Sequence, residues 1–271
     1  MKITVLMENT TSNPALYFEH GLALYIETAK HKILFDAGAS KYFAHNARTL
    51  GIDLSQVDTF VLSHGHNDHG GGLPHFLTIN KHAKIYVQQQ ALDQHFSKRN
   101  DTYVYIGVSL PEPSRVIFVN KDLVIDEELH IFSQVPEKRF YPHSNRNLFI
   151  YRAGTYPQDD FAHEQNLLIT EKERHYLVAG CAHKGMLNII NAACQFSKGQ
   201  IDVAIGGLHL YSHSSGISEA ENIIQDIGYA LLKTKVRLLT CHCTGEKAFT
   251  ILKPIMQDKI TYLRTGLCFE L

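Results

Sequence analysis

The sequence has no tryptophan, little cysteine and no excess of charge, and nowhere does it approach the roughly 18 to 20 continuous apolar residues of a membrane span. Each shortage excludes something. With a net charge of -1 and a pI near 7.0, no global field favours nucleic acid, an anionic membrane or an acidic partner, so a charged substrate has to be held locally. Cys181, Cys194, Cys241, Cys243 and Cys268 are odd in number and sparse, which argues for reduced thiols and against a disulfide framework. The start, Met1 to Glu8, alternates like a strand and lacks the apolar core and cleavage site of a signal peptide. The expectation is a soluble, cytoplasmic protein whose partner is a small molecule rather than nucleic acid or a membrane.

Histidine is what the chain has in abundance, 17 residues in 271, many beside Gly, Cys or Asp. Metal ligation is therefore the first chemistry to test. A hydrophobic content of 44% in 271 residues suits one large α/β domain, 1–271, better than two small ones.

Apolar patterning predicts strands over Ile3 to Leu6, Gly21 to Glu27, Lys32 to Phe35 and Thr59 to Ser63, and a helix through Leu73, Phe76 and Leu77. Ala83 to Val87 reads as strand and Ala91 to Lys98 as a short helix. From about Tyr103 to Asp160, Pro111, Pro113, Pro136, Pro142 and Pro157 interrupt short apolar runs, giving strands and loops. Asn166 to Thr170 and His175 to Ala179 form a strand pair, and Met186, Leu187, Ile190 and Ala193 mark a helix. Ser218 and Glu221 have the spacing of a capping box before a helix with Ile224, Ile227 and Leu231 on its apolar face. In this second half, strands lead into Gly- and His-bearing loops at His183, His209 and His242. Strand ends on one sheet edge converge their loops on a single crevice.

The densest chemistry lies in Ser63-His64-Gly65-His66-Asn67-Asp68-His69-Gly70-Gly71-Gly72. Three imidazoles and a carboxylate within six residues suit Zn, Fe or Mn, and exceed what one tetrahedral ion takes from a single segment, so two adjacent metals are expected. The three following glycines are expected to let backbone approach the metals.

This run, followed by Gly71-Gly72-Leu73, resembles the signature of the metallo-β-lactamase superfamily. Glu19-His20-Gly21, Asp36-Ala37-Gly38, Gly180-Cys181-Ala182-His183-Lys184-Gly185 with Asn188, Gly206-Gly207-Leu208-His209-Leu210 and His242-Cys243-Thr244-Gly245 resemble, more narrowly, its 7,8-dihydropterin-6-yl-methyl-4-(β-D-ribofuranosyl)aminobenzene 5′-phosphate synthase branch. The likeness runs in order from residue 3 to about 268. It implies a four-layer αβ/βα sandwich with a dinuclear site at one edge of the sheets. It also implies His64 and His66 on a first metal, Asp68, which doubles as the catalytic carboxylate, and His69 on a second, and His183 and His242 completing the set. Cys181 stands where many relatives place a bridging Asp or Cys, so the choice between Cys181 and His183 stays open. His209 is a candidate metal or substrate contact. Asp36 is a candidate acceptor behind a ligating imidazole, or an ordinary turn residue, and Glu19 and His20 share that ambiguity. His163 falls where relatives usually carry acidic residues and is left unassigned.

Lys138-Arg139-Phe140-Tyr141 with Arg146 suggests a clamp for phosphate or carboxylate, or a solvated loop. The function expected is hydrolysis or cyclisation of a small phosphorylated or ester substrate, with a divalent metal pair, two Zn or else Mn or Fe, lowering the pKa of bound water towards about 7. A non-heme iron redox enzyme of the persulfide dioxygenase type and a catalytically silent metal sensor are the alternatives. Diiron oxygen reductases usually carry Glu at the position of His66, which counts against them, and no basic stripe supports a nuclease.

Overall fold

Alternation of apolar side chains along short strands lets each sheet bury both faces, and the chain builds two seven-stranded sheets this way. The computed structural model describes residues 1–110, 114–136 and 139–271. The first sheet runs, in spatial order, Cys268–Glu270, Lys2–Met7, Ala23–Glu27, Lys32–Phe35, Thr59–Val61, Lys84–Gln88 and Val116–Val119. The second runs Ile260–Tyr262, Arg237–Thr240, Val203–Gly206, Arg174–Val178, Asn166–Glu171, Leu129–Phe132 and Asp122–Val124. Each sheet changes from antiparallel to parallel pairing along its width: after Lys32–Phe35 in the first, and at Arg174–Val178 in the second.

The two sheets face each other across a core in which Val5, Ile26, Phe35 and Val61 meet Ile131, Leu167, Tyr176 and Ile205. The outer face of the first sheet, with Leu34, Phe60 and Ile85, is covered by the helices Tyr42–Thr49 and Leu73–Ile79. Leu177, Ala204 and Leu238 of the second are covered by Met186–Ser197, Glu221–Thr234 and Glu246–Met256. Helix, sheet, sheet and helix give the four-layer αβ/βα sandwich that the sequence led us to expect. No helix among the described residues is long and apolar enough to cross a membrane.

Several local expectations change. Ala91 to Lys98 is not a helix: a short 3-10 turn, Gln89–Leu92, leads into the strand His95–Arg99. That strand pairs with both Thr102–Tyr105 and Leu148–Ile150, and the ladder hydrogen bonds of a three-stranded sheet override the weak helical pattern. Ser218 does not cap the following helix. It pairs with Tyr211 in a two-stranded hairpin, and the helix starts after Ala220 with no side-chain cap. The strand predicted from Gly21 begins at Ala23, since Gly21 sits where a Cβ would lie 2.6 Å from the Asp68 carbonyl oxygen. The glycines after the histidine loop approach backbone rather than ligands: a Cβ on Gly71 would meet the Ala39 carbonyl oxygen at 2.3 Å, and one on Gly72 the Ala37 oxygen at 2.2 Å. They seat the loop on the segment after Asp36.

Candidate metal centre

The strand Thr59–Val61 delivers Ser63 to His66 in extended form, and Asn67–Gly70 then closes one helical turn. Within that turn Asp68 and His69 fall beside the two preceding histidines. On the second sheet, Arg174–Val178, Val203–Gly206 and Arg237–Thr240 are parallel neighbours whose ends share an edge. The loops leaving that edge carry Cys181 and His183, His209, and His242. The His183 and His242 loops run into helices, whereas His209 is followed first by the Tyr211–Ser218 hairpin. Gly180 lets the two halves meet: a Cβ there would stand 2.3 Å from Ser63 Oγ.

These side chains form overlapping groups whose donor atoms lie within 4.8 Å of one another: His64, His66 and His183; Asp68, His69, Cys181 and His242; and Cys181, His183 and His209. Sequence alone posed Cys181 and His183 as alternatives; the structure brings both in, His183 beside the first pair of histidines and Cys181 beside the second group. The Nε2 atoms of His64 and His183 are 3.3 Å apart, those of His69 and His242 3.2 Å, and His69 Nε2 is 3.2 Å from Cys181 Sγ.

What faces the opposite ring nitrogens decides what these atoms offer. Asp36 accepts from His69 Nδ1 at 2.6 Å, Asn9 Oδ1 from His242 Nδ1 at 2.8 Å, and Asn145 Oδ1 from His183 Nδ1 at 2.9 Å. Ser63 Oγ donates to Asp36 and accepts from His64 Nδ1 at 2.8 Å. Four rings thus direct Nδ1 outward and turn Nε2 inward, where the nitrogens converge with a carboxylate and a thiol. That donor set fits divalent metal, with imidazole and thiolate favouring zinc-like ions.

Electrostatics agree. Burial, and then the neighbouring imidazoles, push His64 and His183 well below the ordinary histidine range, leaving neutral rings with free lone pairs. Burial also pushes His66 well down. Burial lowers His69 too, but Asp36 and Asp68 outweigh it and raise its pKa to about 9. Burial takes His242 down to about 4 despite its contact with Asp68. Asp68 is opposed by burial, yet His69, His20 and His242 hold its carboxyl well below the usual range. Positive charge beside Asp68 is therefore favoured; the His69 imidazolium provides it here, and a divalent ion would provide it on taking the place of the His69 Nε2 proton.

The remaining expected residues fall into place unevenly. Asp36 braces His69 and Ser63 from full burial, with its own backbone in the left-handed region at φ 60. His20 Nε2 lies 3.3 Å from Asp68 Oδ2, and the ring stacks on His213. Glu19 is a correction: its carboxylate accepts from the Ala39 and Ser40 backbone and the Ser40 hydroxyl, so it shapes the loop after Asp36 and faces no imidazole. His209 reaches the site with both ring nitrogens buried and unpartnered.

Among the described residues, the basic side chains at 138–146 do not line the cavity beside these imidazoles. Lys138 lies outside the described residues. Phe140, Tyr141 and Arg146 line a separate cavity, and the Arg139 guanidinium covers the Phe140 ring at 5.0 Å.

Other participants gave no clear sequence signal. Glu8 accepts from the His242 N–H at 2.7 Å, so the end of the first strand positions the last histidine from 234 residues away. Glu164 accepts from the backbone N–H groups of His183 and Lys184 at 2.6 and 3.0 Å. Behind His66, His163 Nδ1 accepts from the Gly65 N–H while Asp159 bonds both His163 and His95. Burial opposes the Asp159 charge, but those two imidazoles hold its carboxyl far below the usual range. Only His163, among these three, had been singled out by sequence.

The four-layer sandwich with converging imidazoles at one sheet edge defines a protein of the metallo-β-lactamase fold with a site built for divalent metal. Residues 16–145 match the family profile described as the metallo-beta-lactamase superfamily. A solved structure described as a metal-dependent hydrolase of the beta-lactamase superfamily superposes with a TM-score of 0.84 at 29% identity, covering 100% of this chain and 99% of the other. Among curated proteins, the 7,8-dihydropterin-6-methyl-4-(beta-D-ribofuranosyl)-aminobenzene-5'-phosphate synthase of Methanocaldococcus jannaschii is 25% identical, over 98% of this chain and 95% of its own. An uncharacterised protein of the same organism is also 25% identical, over 93% and 94%.

Proposed function

We propose that the protein is a cytoplasmic metal-dependent hydrolase of small phosphorylated or ester substrates, acting without nucleic acid or membrane partners. The observation that carries this reading is the convergence of four outward-anchored imidazoles on Asp68 and Cys181 beside an open cavity. His64, His66 and His183 hold one divalent ion in this scheme, and Asp68, His69, Cys181 and His242 the other, with zinc preferred for the thiol. Such ions supply a water nucleophile near neutral pH and polarise the bond to be attacked. Asp68, about a fifth exposed and held ionised, orients the attacking water by accepting its hydrogen bond. The proton leaving the water would pass to Asp68, with His20 Nε2 at 3.3 Å placed to share it, and from there to the departing oxygen of the substrate. A substrate hydroxyl held in place of water makes the same site a cyclising enzyme, in keeping with the synthase name of one relative.

Elemental analysis of the purified protein, joined to a screen of phosphodiesters, cyclic phosphates and lactones, tests the proposal. Metal-dependent turnover is expected, falling at least about a hundredfold in Asp68→Ala. Turnover retained by metal-stripped Asp68→Ala would sink it. Oxygen uptake by an iron-loaded protein that turns over no ester points instead to the redox reading. Bound metal with neither activity points to a sensor.

A further inference from the structure

The cavity beside the candidate metal centre has a volume of about 220 Å³, and the ligand set accounts for only part of its lining. Ser97 and Arg99 of the strand His95–Arg99 contribute another part. Alternation puts His95, Ser97 and Arg99 on one side, and Phe96 and Lys98 on the other. His95 belongs to the buried group behind His66, whereas Ser97 and Arg99 line the cavity itself. Ser97 is only 3% exposed and its hydroxyl has no partner. His209, also in the lining and next to Cys181 and His183, is 9% exposed with both ring nitrogens unpartnered, and the Ser144 hydroxyl donates to its backbone carbonyl. Asn147 adds an amide to the lining. Buried polar atoms are almost always satisfied, so two unsatisfied side chains facing one cavity point to a ligand.

Arg99 supplies the sign of that ligand. Its side chain is exposed, and no carboxylate pairs with it among the described residues. A planar carboxylate is satisfied by one guanidinium, but here donors come from separate segments at Ser97 and Arg99, Asn147 and His209. That spread suits a tetrahedral group with three free oxygens.

We infer that Arg99, Ser97 and His209 form a subsite for a phosphate monoester group on the substrate, held apart from the bond that is cleaved. This deepens, and rests on, the hydrolase reading above. The enclosed space is below the roughly 300 Å³ at which pockets for drug-sized ligands begin, so the subsite takes the phosphate and a small part of the substrate while the remainder projects from the mouth.

The test is calorimetric titration of the metal-loaded protein with inorganic phosphate, with acetate titrated in parallel. Arg99→Ala is expected to weaken phosphate binding at least tenfold at unchanged metal content, with Arg99→Lys recovering part of the loss and Ser97→Ala losing less. Arg152→Ala, whose guanidinium pairs with Asp160, serves as a charge control and is expected to bind phosphate normally. Unchanged phosphate affinity in both Arg99→Ala and Ser97→Ala places the anion on the metals and overturns the subsite. Acetate binding as tightly as phosphate overturns the phosphate assignment. Failure of the hydrolase reading appears separately, as absence of ester turnover, and leaves these titrations interpretable.

Discussion

The two halves of the molecule contribute to one centre in opposite ways. The first half gives His64, His66, Asp68 and His69 from a single loop, within one extended stretch and one helical turn. The second half gives Cys181, His183, His209 and His242 from three loops, which meet only because their strands are parallel neighbours. A loop of the first kind is a local object, whereas a set of the second kind exists only once the sheet has formed.

Support is distributed the same way. Asp36 and Ser63 brace His69 and His64 from within the first half. His242 depends on Glu8 and Asn9 across the interface, and His183 depends on Asn145 and Glu164 from the intervening segment. The second-half ligands are therefore tied to the packing of the two sheets, and the first-half ligands much less so.

The sharpest way to break this comparison is to remove one second-half ligand from each group. His183→Ala and Cys181→Ser should each lose metal, and if the two groups hold different ions, elemental analysis will show each variant retaining about half of the wild-type content. Equal and complete loss in both would mean a single shared ion and would erase the division into two groups. A smaller effect is expected one step back from the ligands. Asp36→Asn and Asn145→Ala should weaken metal affinity by about 10- to 100-fold, read by competition with a chelator. If bracing in the second half depends on sheet packing, mild denaturant will weaken metal binding further in Asn145→Ala than in Asp36→Asn; equal sensitivity would contradict that.

The smallest effect concerns the seam between the sheets, away from the metals. His31, in the first half, contacts Asp58 at 3.0 Å and Asp126, beside the second sheet, at 2.6 Å. Burial lowers its pKa, but the two carboxylates win and raise it above the ordinary value. A raised folded-state pKa gives stability that is complete below the unfolded value of about 6.5 and is lost as pH rises through the folded value. His31→Gln should therefore be less stable than wild type by about 0.2 to 1 kcal/mol at pH 5.5, and the gap should close towards pH 9. A gap that stays constant across that range would show that packing, rather than charge, is what His31 contributes.

Legibility followed the range of the interactions. Most strands and helices were readable because short apolar runs and helical spacing leave their imprint on each segment, whereas the layered sandwich was expected only from the resemblance to the metallo-β-lactamase superfamily. Ala91 to Lys98 was misread because its strand is decided by neighbours at Thr102–Tyr105 and Leu148–Ile150, which leave no mark on the segment's own pattern. The same strand brings Arg99 into the lining of the cavity beside the candidate metal centre, a placement that no pattern in its own segment announces.

By itself, the sequence marked the run His64 to His69 as a candidate metal loop, showed no membrane-spanning helix pattern, and carried the periodicities of most individual strands and helices. These are set by residues a few positions apart, where covalent geometry already fixes who can meet whom. Only the tertiary structure decided that Cys181 and His183 both reach the centre, that Asp36, Asn9 and Asn145 turn its imidazoles, and that Ser97, Arg99 and His209 line one cavity. The hydrogen bonds that turn the imidazoles join positions from 33 to 233 residues apart, and no periodicity in the segments involved announces them.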